Sequence, residues 1–153
     1  MNRSRYVIRQ IDKTDRAIIS ALFENGRMTL RELAEVIDLS SPSVTDRIEK
    51  LKDAGAIQGY TAIIDPKAFG LNTAAYVRMR ALPGQIKRLE QLLIDTPEVV
   101  EADHVTGEDC FVVRMVVRDV QELEAVVGRF VLLASTDTAI VQSTPVVRRL
   151  PKL

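Results

Sequence analysis

The chain has 153 residues, 46% of them apolar and 27% charged, with 21 basic and 21 acidic side chains. That composition fits a globular protein of one ordinary or two small domains and excludes a disordered chain. Zero formal net charge means that any nucleic-acid binding must come from a local patch. The single cysteine, Cys110, allows no internal disulfide framework and points to a reducing, cytoplasmic setting. The first fifteen residues lack the apolar core of a signal peptide, and no apolar run approaches a membrane span.

Residues 1–11 form a basic arm with Arg3, Arg5 and Arg9, expected to be a solvated terminus. Asp12 opens a helix to about Asn25, with Ile18, Ile19, Leu22 and Phe23 on its apolar stripe. Thr29 and Glu32 make a capping box for a second helix, with Leu30, Leu33, Ala34 and Ile37 on one face. A third helix follows after Asp38-Leu39-Ser40. Ser40 or Ser41 can cap it, Pro42 is tolerated in its first turn, and Gly55 can end it in a left-handed conformation. Val44, Ile48 and Leu51 give its apolar stripe. Its other arc carries Ser43, Asp46, Glu49, Lys50 and Asp53, with Thr45 and Arg47 on the flanks. Two helices joined by so tight a turn make a helix-turn-helix pattern, and none of the three helices can bury its stripe alone.

The β-branched and aromatic run 56–64 reads as an extended segment. The expected boundaries are a helix-turn-helix domain over 1–60, a linker strand and connector over 61–72, and a second domain over 73–153. From Thr73 the chain alternates: strand Thr73–Leu82, helix Gln85–Asp95, strand Glu98–Thr106, turn Gly107-Glu108-Asp109, strand Cys110–Arg118, a helix started by Asp119 with Glu122, and a β-rich run Thr138–Val147. The order β-α-β-β-α-β is that of a ferredoxin-like sandwich, with both helices on one face of an antiparallel sheet. The other face keeps apolar residues and needs a cover, for which a second copy of the chain is the natural choice.

These residues resemble the Lrp/AsnC family of leucine-responsive, "feast/famine" transcription regulators. The resemblance is carried by ELAEVIDLSSPSVTDRIEKLKDAGAIQGYTAIIDPKAFG, followed by a β-α-β-β-α-β domain with VTGEDCF in its central hairpin. It implies an α+β chain with an N-terminal winged-type helix-turn-helix domain and a C-terminal ferredoxin-like sandwich. It further implies binding to double-stranded DNA, assembly into homodimers and then tetramers or octamers, and an amino-acid effector held near the hairpin; no cofactor is implied. Two stretches depart from the family pattern. Cys110 stands where many members carry aspartate, with Asp109 one position earlier, and Ala134–Thr138 replaces the usual turn before the last strand.

For DNA, the expected contacts are Ser40, Ser41, Ser43 and Thr45 at the helix front. Arg47 and Lys50 are expected on bases or phosphates, and Arg31 and Lys52 on the backbone. A bidentate arginine–guanine contact typically discriminates by about 1–3 kcal/mol. The competing reading of the same helix is a solvated face of paired charges at i,i+3 and i,i+4. For the effector, the expected residues are Thr106, Gly107, Glu108 and Asp109, joined by Thr136, Asp137 and Thr138 of a neighbouring chain; an ordinary hairpin turn is the alternative. His104 and Cys110 have no partners at metal-ligand spacing, and no nucleophile, base and orienting group converge, so neither metal nor enzyme chemistry is expected. An effector-independent architectural DNA-binding protein is the second function the sequence allows.

Overall fold

The computed structural model describes residues 11–152. Contacts divide it into two units: residues up to Ile63 together with those from Val146 on, and Ile64–Pro145.

The first unit is helical. α1 spans Lys13–Glu24, α2 Leu30–Ile37 and α3 Ser41–Asp53. Each start is chemically marked. Asp12 and Asp15 close a capping box on α1, Thr29 and Glu32 close one on α2, and the Ser40 side chain caps α3, with Pro42 in the first turn. α3 ends on a Schellman turn: Gly55 sits at φ 70°, its N–H donates to Lys52 O, and Ala56 N–H donates to Leu51 O. Ile18, Leu33, Ala34, Val44, Ile48 and Leu51 form the core of this unit, with Ile57 packed against it. The stripes read from the sequence therefore meet, except at Phe23 and Leu30, which sit at the ends of their stripes and stay exposed, and the polar arc of α3 is left outside.

The extended segment expected over 56–64 forms no strand. Residues 58–64 make no backbone hydrogen bond to any described residue, and Ile63 and Ile64 are exposed. A β-branched run pairs only where a second edge is offered, and none is offered to it among the described residues. Residues Pro66–Phe69 form a short 3-10 turn where the connector was expected.

In the second unit the order is β1 Thr73–Ala81, α4 Ile86–Ile94, β2 Val99–His104, β3 Phe111–Val117, α5 Val120–Gly128 and β4 Ala134–Ile140. All pairings are antiparallel, in the sheet order β2-β3-β1-β4, which is the ferredoxin-like arrangement. Alternation places Ala75, Val77 and Met79 of β1, with Phe111, Val113 and Met115 of β3, on one face. Leu89 and Leu93 of α4 and Leu123 and Val126 of α5 pack on that same face, around a fully buried Phe130. The opposite face of β1 carries Tyr76, Arg78 and Arg80, all exposed.

The last strand lies earlier than expected. β4 is Ala134–Ile140, not Thr138–Val147. Its register with β1 begins at Ala81↔Ala134, because the chain turns tightly after α5, with Ala134 N–H donating to Phe130 O. As an edge strand it is mostly exposed, so its sequence, ASTDTAI, is small and polar and carries little β signal.

Candidate nucleic-acid interface and effector hairpin

The α2–turn–α3 segment brings the expected DNA contacts together. Asp38 makes the turn at φ 57°, one of the few non-glycine roles open to aspartate in the left-handed region. Ser40 Oγ accepts the Ser43 N–H at 3.4 Å and lies 2.9 Å from Ser43 Oγ, so these two hydroxyls are tied to each other and to the helix start. Thr45 Oγ1 donates back to Ser41 O at 2.9 Å, which draws its hydroxyl towards the helix. Ser41 and Pro42 complete the exposed first turn.

The cations of this segment are paired along their own helices. Arg31 on α2 meets Glu35 at 3.0 Å, Lys52 meets Glu49 at 2.9 Å, and Lys50 pairs with Asp46. The hydrogen bond to Glu49 holds the Lys52 ammonium above its ordinary pKa. Residues 11–63 hold nine acidic and seven basic side chains. Over the whole unit, Arg3, Arg5 and Arg9 near the N-terminus and Arg148, Arg149 and Lys152 near the C-terminus raise the basic count to thirteen against nine acids, a positive balance that favours phosphate, while specific contact depends on the arrangement of individual groups.

Arg47 is placed differently from the outward guanidinium expected of it. Its Nη1 donates to Asp12 Oδ2 and Asp15 Oδ1, both at 2.7 Å, so it reaches α1 instead of the outer arc. These bonds raise its pKa, the one to Asp12 most. Asp12 is held low, first by the Asp15 N–H and then by the Arg47 guanidinium. The basic arm 1–10 lies outside the described residues.

The hairpin between β2 and β3 is closed by Val105 N–H donating to Cys110 O at 2.8 Å, and Gly107 sits at φ 120°, a conformation that requires glycine. Cys110 N–H donates to Met79 O, and Cys110 Sγ accepts the Ala81 N–H at 3.3 Å. The thiol thus continues the β1–β3 ladder past its end. His104 stacks on Phe111, with ring centroids 4.7 Å apart. Among the described residues no cluster of three metal-ligating side chains exists, and no helix is long and apolar enough to cross a membrane.

The seven expected effector residues do not form one loop cluster. Thr106–Asp109 stay in the hairpin, whereas Thr136, Asp137 and Thr138 lie inside β4, paired opposite Met79, Arg78 and Val77. Thr136 and Thr138 share the side of Val77 and Met79, and Asp137 shares that of Arg78. What links the two stretches is a pair of arginines on β1. Arg80 meets Glu108 at 2.7 Å and Asp109 at 3.7 Å, and Arg78 pairs with Asp137. Alternation along β1 puts Arg78 and Arg80 side by side on the open face. Reading only the loops missed them; two arginines at i,i+2 in a strand was the available signal.

The family model for a winged helix-turn-helix DNA-binding domain matches residues 11–58, and the Lrp/AsnC ligand-binding domain matches residues 74–151. The second match alone covers half of the chain. This protein belongs to the Lrp/AsnC family of transcriptional regulators. An HTH-type transcriptional regulator of Mycobacterium tuberculosis, Rv2324, is 33% identical over 92% of this chain and 95% of its own. The HTH-type transcriptional regulator FL11 of Pyrococcus horikoshii is 31% identical over 88% of this chain and 91% of its own. Among solved structures, Bacillus subtilis LrpC superposes with a TM-score of 0.86 at 26% identity, covering 90% of this chain and 98% of that one. The feast or famine regulatory protein of M. tuberculosis in complex with L-methionine gives 0.85 at 31% identity, covering 92% and 98%. This Lrp/AsnC regulator thus has the helix-turn-helix and ferredoxin-like halves of its family, in the family's order.

Proposed function

We propose that this regulator binds promoter DNA as a homodimer or larger ring through the exposed face of α3 and is tuned by an amino acid at the hairpin. The carrying observation is that the core of the first unit fixes α3 by Val44, Ile48 and Leu51 and leaves its first turn and Lys50–Lys52 side outside. Ser40, Ser41, Ser43 and Thr45 offer short hydroxyls for phosphates or base edges. Arg31, Lys50 and Lys52 exchange their helix-borne carboxylates for phosphates on binding. Segment 58–64, unpaired among the described residues, and the open sheet face support self-association, since each leaves a strand-like edge or an apolar–charged surface that a second copy can complete. Two copies would present two α3 helices to successive major grooves.

For the effector, Arg80 with Glu108 and Asp109 offers both charges that a zwitterionic amino acid needs. Thr106 and Gly107 line the approach, and Asp137 frames Arg78 on the far side, while Thr136 and Thr138 flank it along β4 on the opposite face. A relative of 31% identity is described in complex with L-methionine, and the same ligand class fits here. The regulator works in the cytoplasm. Titration of a promoter duplex tests the DNA reading: affinity no better than for an unrelated duplex would overturn it. A thermal-shift series over the common amino acids tests the effector reading, because a ligand of the folded state raises its stability by mass action. At least one amino acid should raise the melting temperature of the wild-type chain and leave Arg80→Ala unmoved.

A further inference from the structure

We propose that Arg47 is the positioning residue of the DNA-binding helix, setting the angle of α3 against α1 without itself contacting DNA. The proposal rests on α3 being the DNA-facing element and assigns the arginine of that helix a different task from its neighbours. Arg31, Lys50 and Lys52 each pair with a carboxylate on their own helix, three or four residues away. Those pairs can open without moving any element. Among the described residues, Arg47 alone on α3 makes side-chain bonds to another element, and it does so twice.

The bonding is built into the start of α1. Asp12 Oδ1 accepts the Asp15 N–H at 2.8 Å, and Asp15 Oδ2 accepts the Asp12 N–H at 3.2 Å. The second oxygen of each, Asp12 Oδ2 and Asp15 Oδ1, accepts from Arg47 Nη1. Every oxygen of the capping box therefore has a partner, and the guanidinium stitches the box to α3. Asp15 and Arg47 are largely covered, at 17% and 31% side-chain exposure. Beside them a groove of about 450 Å³ runs between α1 and α3, and Asp12, Asp15 and Asp46 line it. Arg47 and Lys50 line it too and neutralise these acids, so an arginine that left for DNA would abandon two carboxylates to an unpaired state.

The test uses the full chain and the duplex that the wild-type protein enriches from a random-sequence library, with affinity measured against salt. Asn keeps the N-cap at position 12 while removing its charge, so Asp12→Asn/Asp15→Asn removes the anchor gently. Circular dichroism establishes that each variant is folded at the assay temperature. Removing two negative charges from a DNA-binding unit should strengthen binding if charge alone mattered. The positioning role predicts the opposite sign: a loss of about tenfold, near 1.4 kcal/mol, a matching loss in Arg47→Ala, and no further loss in the triple variant. It also predicts an unchanged slope of log affinity against log salt. Tighter binding by the double aspartate variant would overturn the role, as would a slope reduced by about one in Arg47→Ala, the mark of a lost phosphate contact. Failure of the wild type to enrich any duplex would overturn the DNA reading and the role together; the variant results overturn the role alone.

Discussion

Asp38 shows how much of the helix-turn-helix rests on one backbone angle. At φ 57° it ends α2 and aims the chain into α3, with Leu39 N–H donating to Ala34 O. Aspartate and asparagine tolerate this region, but a β-branched side chain does not, and the left-handed conformation costs an ordinary residue about 1–2 kcal/mol. Asp38→Asn should therefore leave urea stability near the wild type, while Asp38→Val lowers it by about 1–2 kcal/mol. Gly107 makes the same point in the other unit. A Cβ there would meet nothing within 4 Å, so the strain of a substitution would lie in the backbone at φ 120°. Cys110 was readable only in part. Its half-buried place follows from the apolar strand it leads into, but its bond from Ala81 N–H comes from a strand twenty-nine residues away, which no local pattern announces.

At the scale of elements, α1, α2 and α3 were legible because caps and stripes agree at every one of them. Asp12, Thr29 and Ser40 start the helices, and Gly55 stops the last. The pairs Lys50–Asp46 and Lys52–Glu49 were legible too, since i,i+4 and i,i+3 spacing is local. The Arg47 pairs, spanning 32 and 35 residues, were not. β4 was misplaced because an exposed edge strand of small polar residues lacks the apolar alternation by which strands are found, and with it went the expected loop at Thr136–Thr138. The α3 pairs also predict a phenotype. Asp46 and Glu49 occupy the lysines that phosphate would use, so DNA must displace them. Asp46→Asn/Glu49→Gln should raise affinity for an unrelated duplex several-fold, narrowing the gap between specific and non-specific binding. A competition assay at fixed salt reads that gap directly; an unchanged ratio would place the acids away from DNA.

For the whole molecule, two separate cores imply two stabilities. Among the described residues, the first unit buries six apolar side chains in its core and the second fourteen, so the first has less burial to offset its chain entropy. Acid should widen the difference. In the first unit Asp12 is held below the ordinary aspartate pKa by the Asp15 N–H and Arg47. Glu32 is held low by the Thr29 N–H and then the Thr29 hydroxyl. In the second unit Glu122 is held low by Arg118, through its guanidinium and then its N–H. A carboxylate whose pKa is lower folded than unfolded stabilises the fold fully above its unfolded pKa, and the contribution disappears as pH falls through the folded value. All three helix starts thus keep their support at neutral pH and lose it in acid, two of them in the smaller unit. Urea unfolding of the full chain, followed from neutral pH into the acid range, should resolve two transitions. The midpoint of the earlier one should fall more steeply with acid, and Glu32→Gln should flatten that fall while Glu122→Gln leaves it unchanged. A single transition at every pH would mean that the two cores stand or fall together, as they would if assembly through both units ties them into one cooperative body.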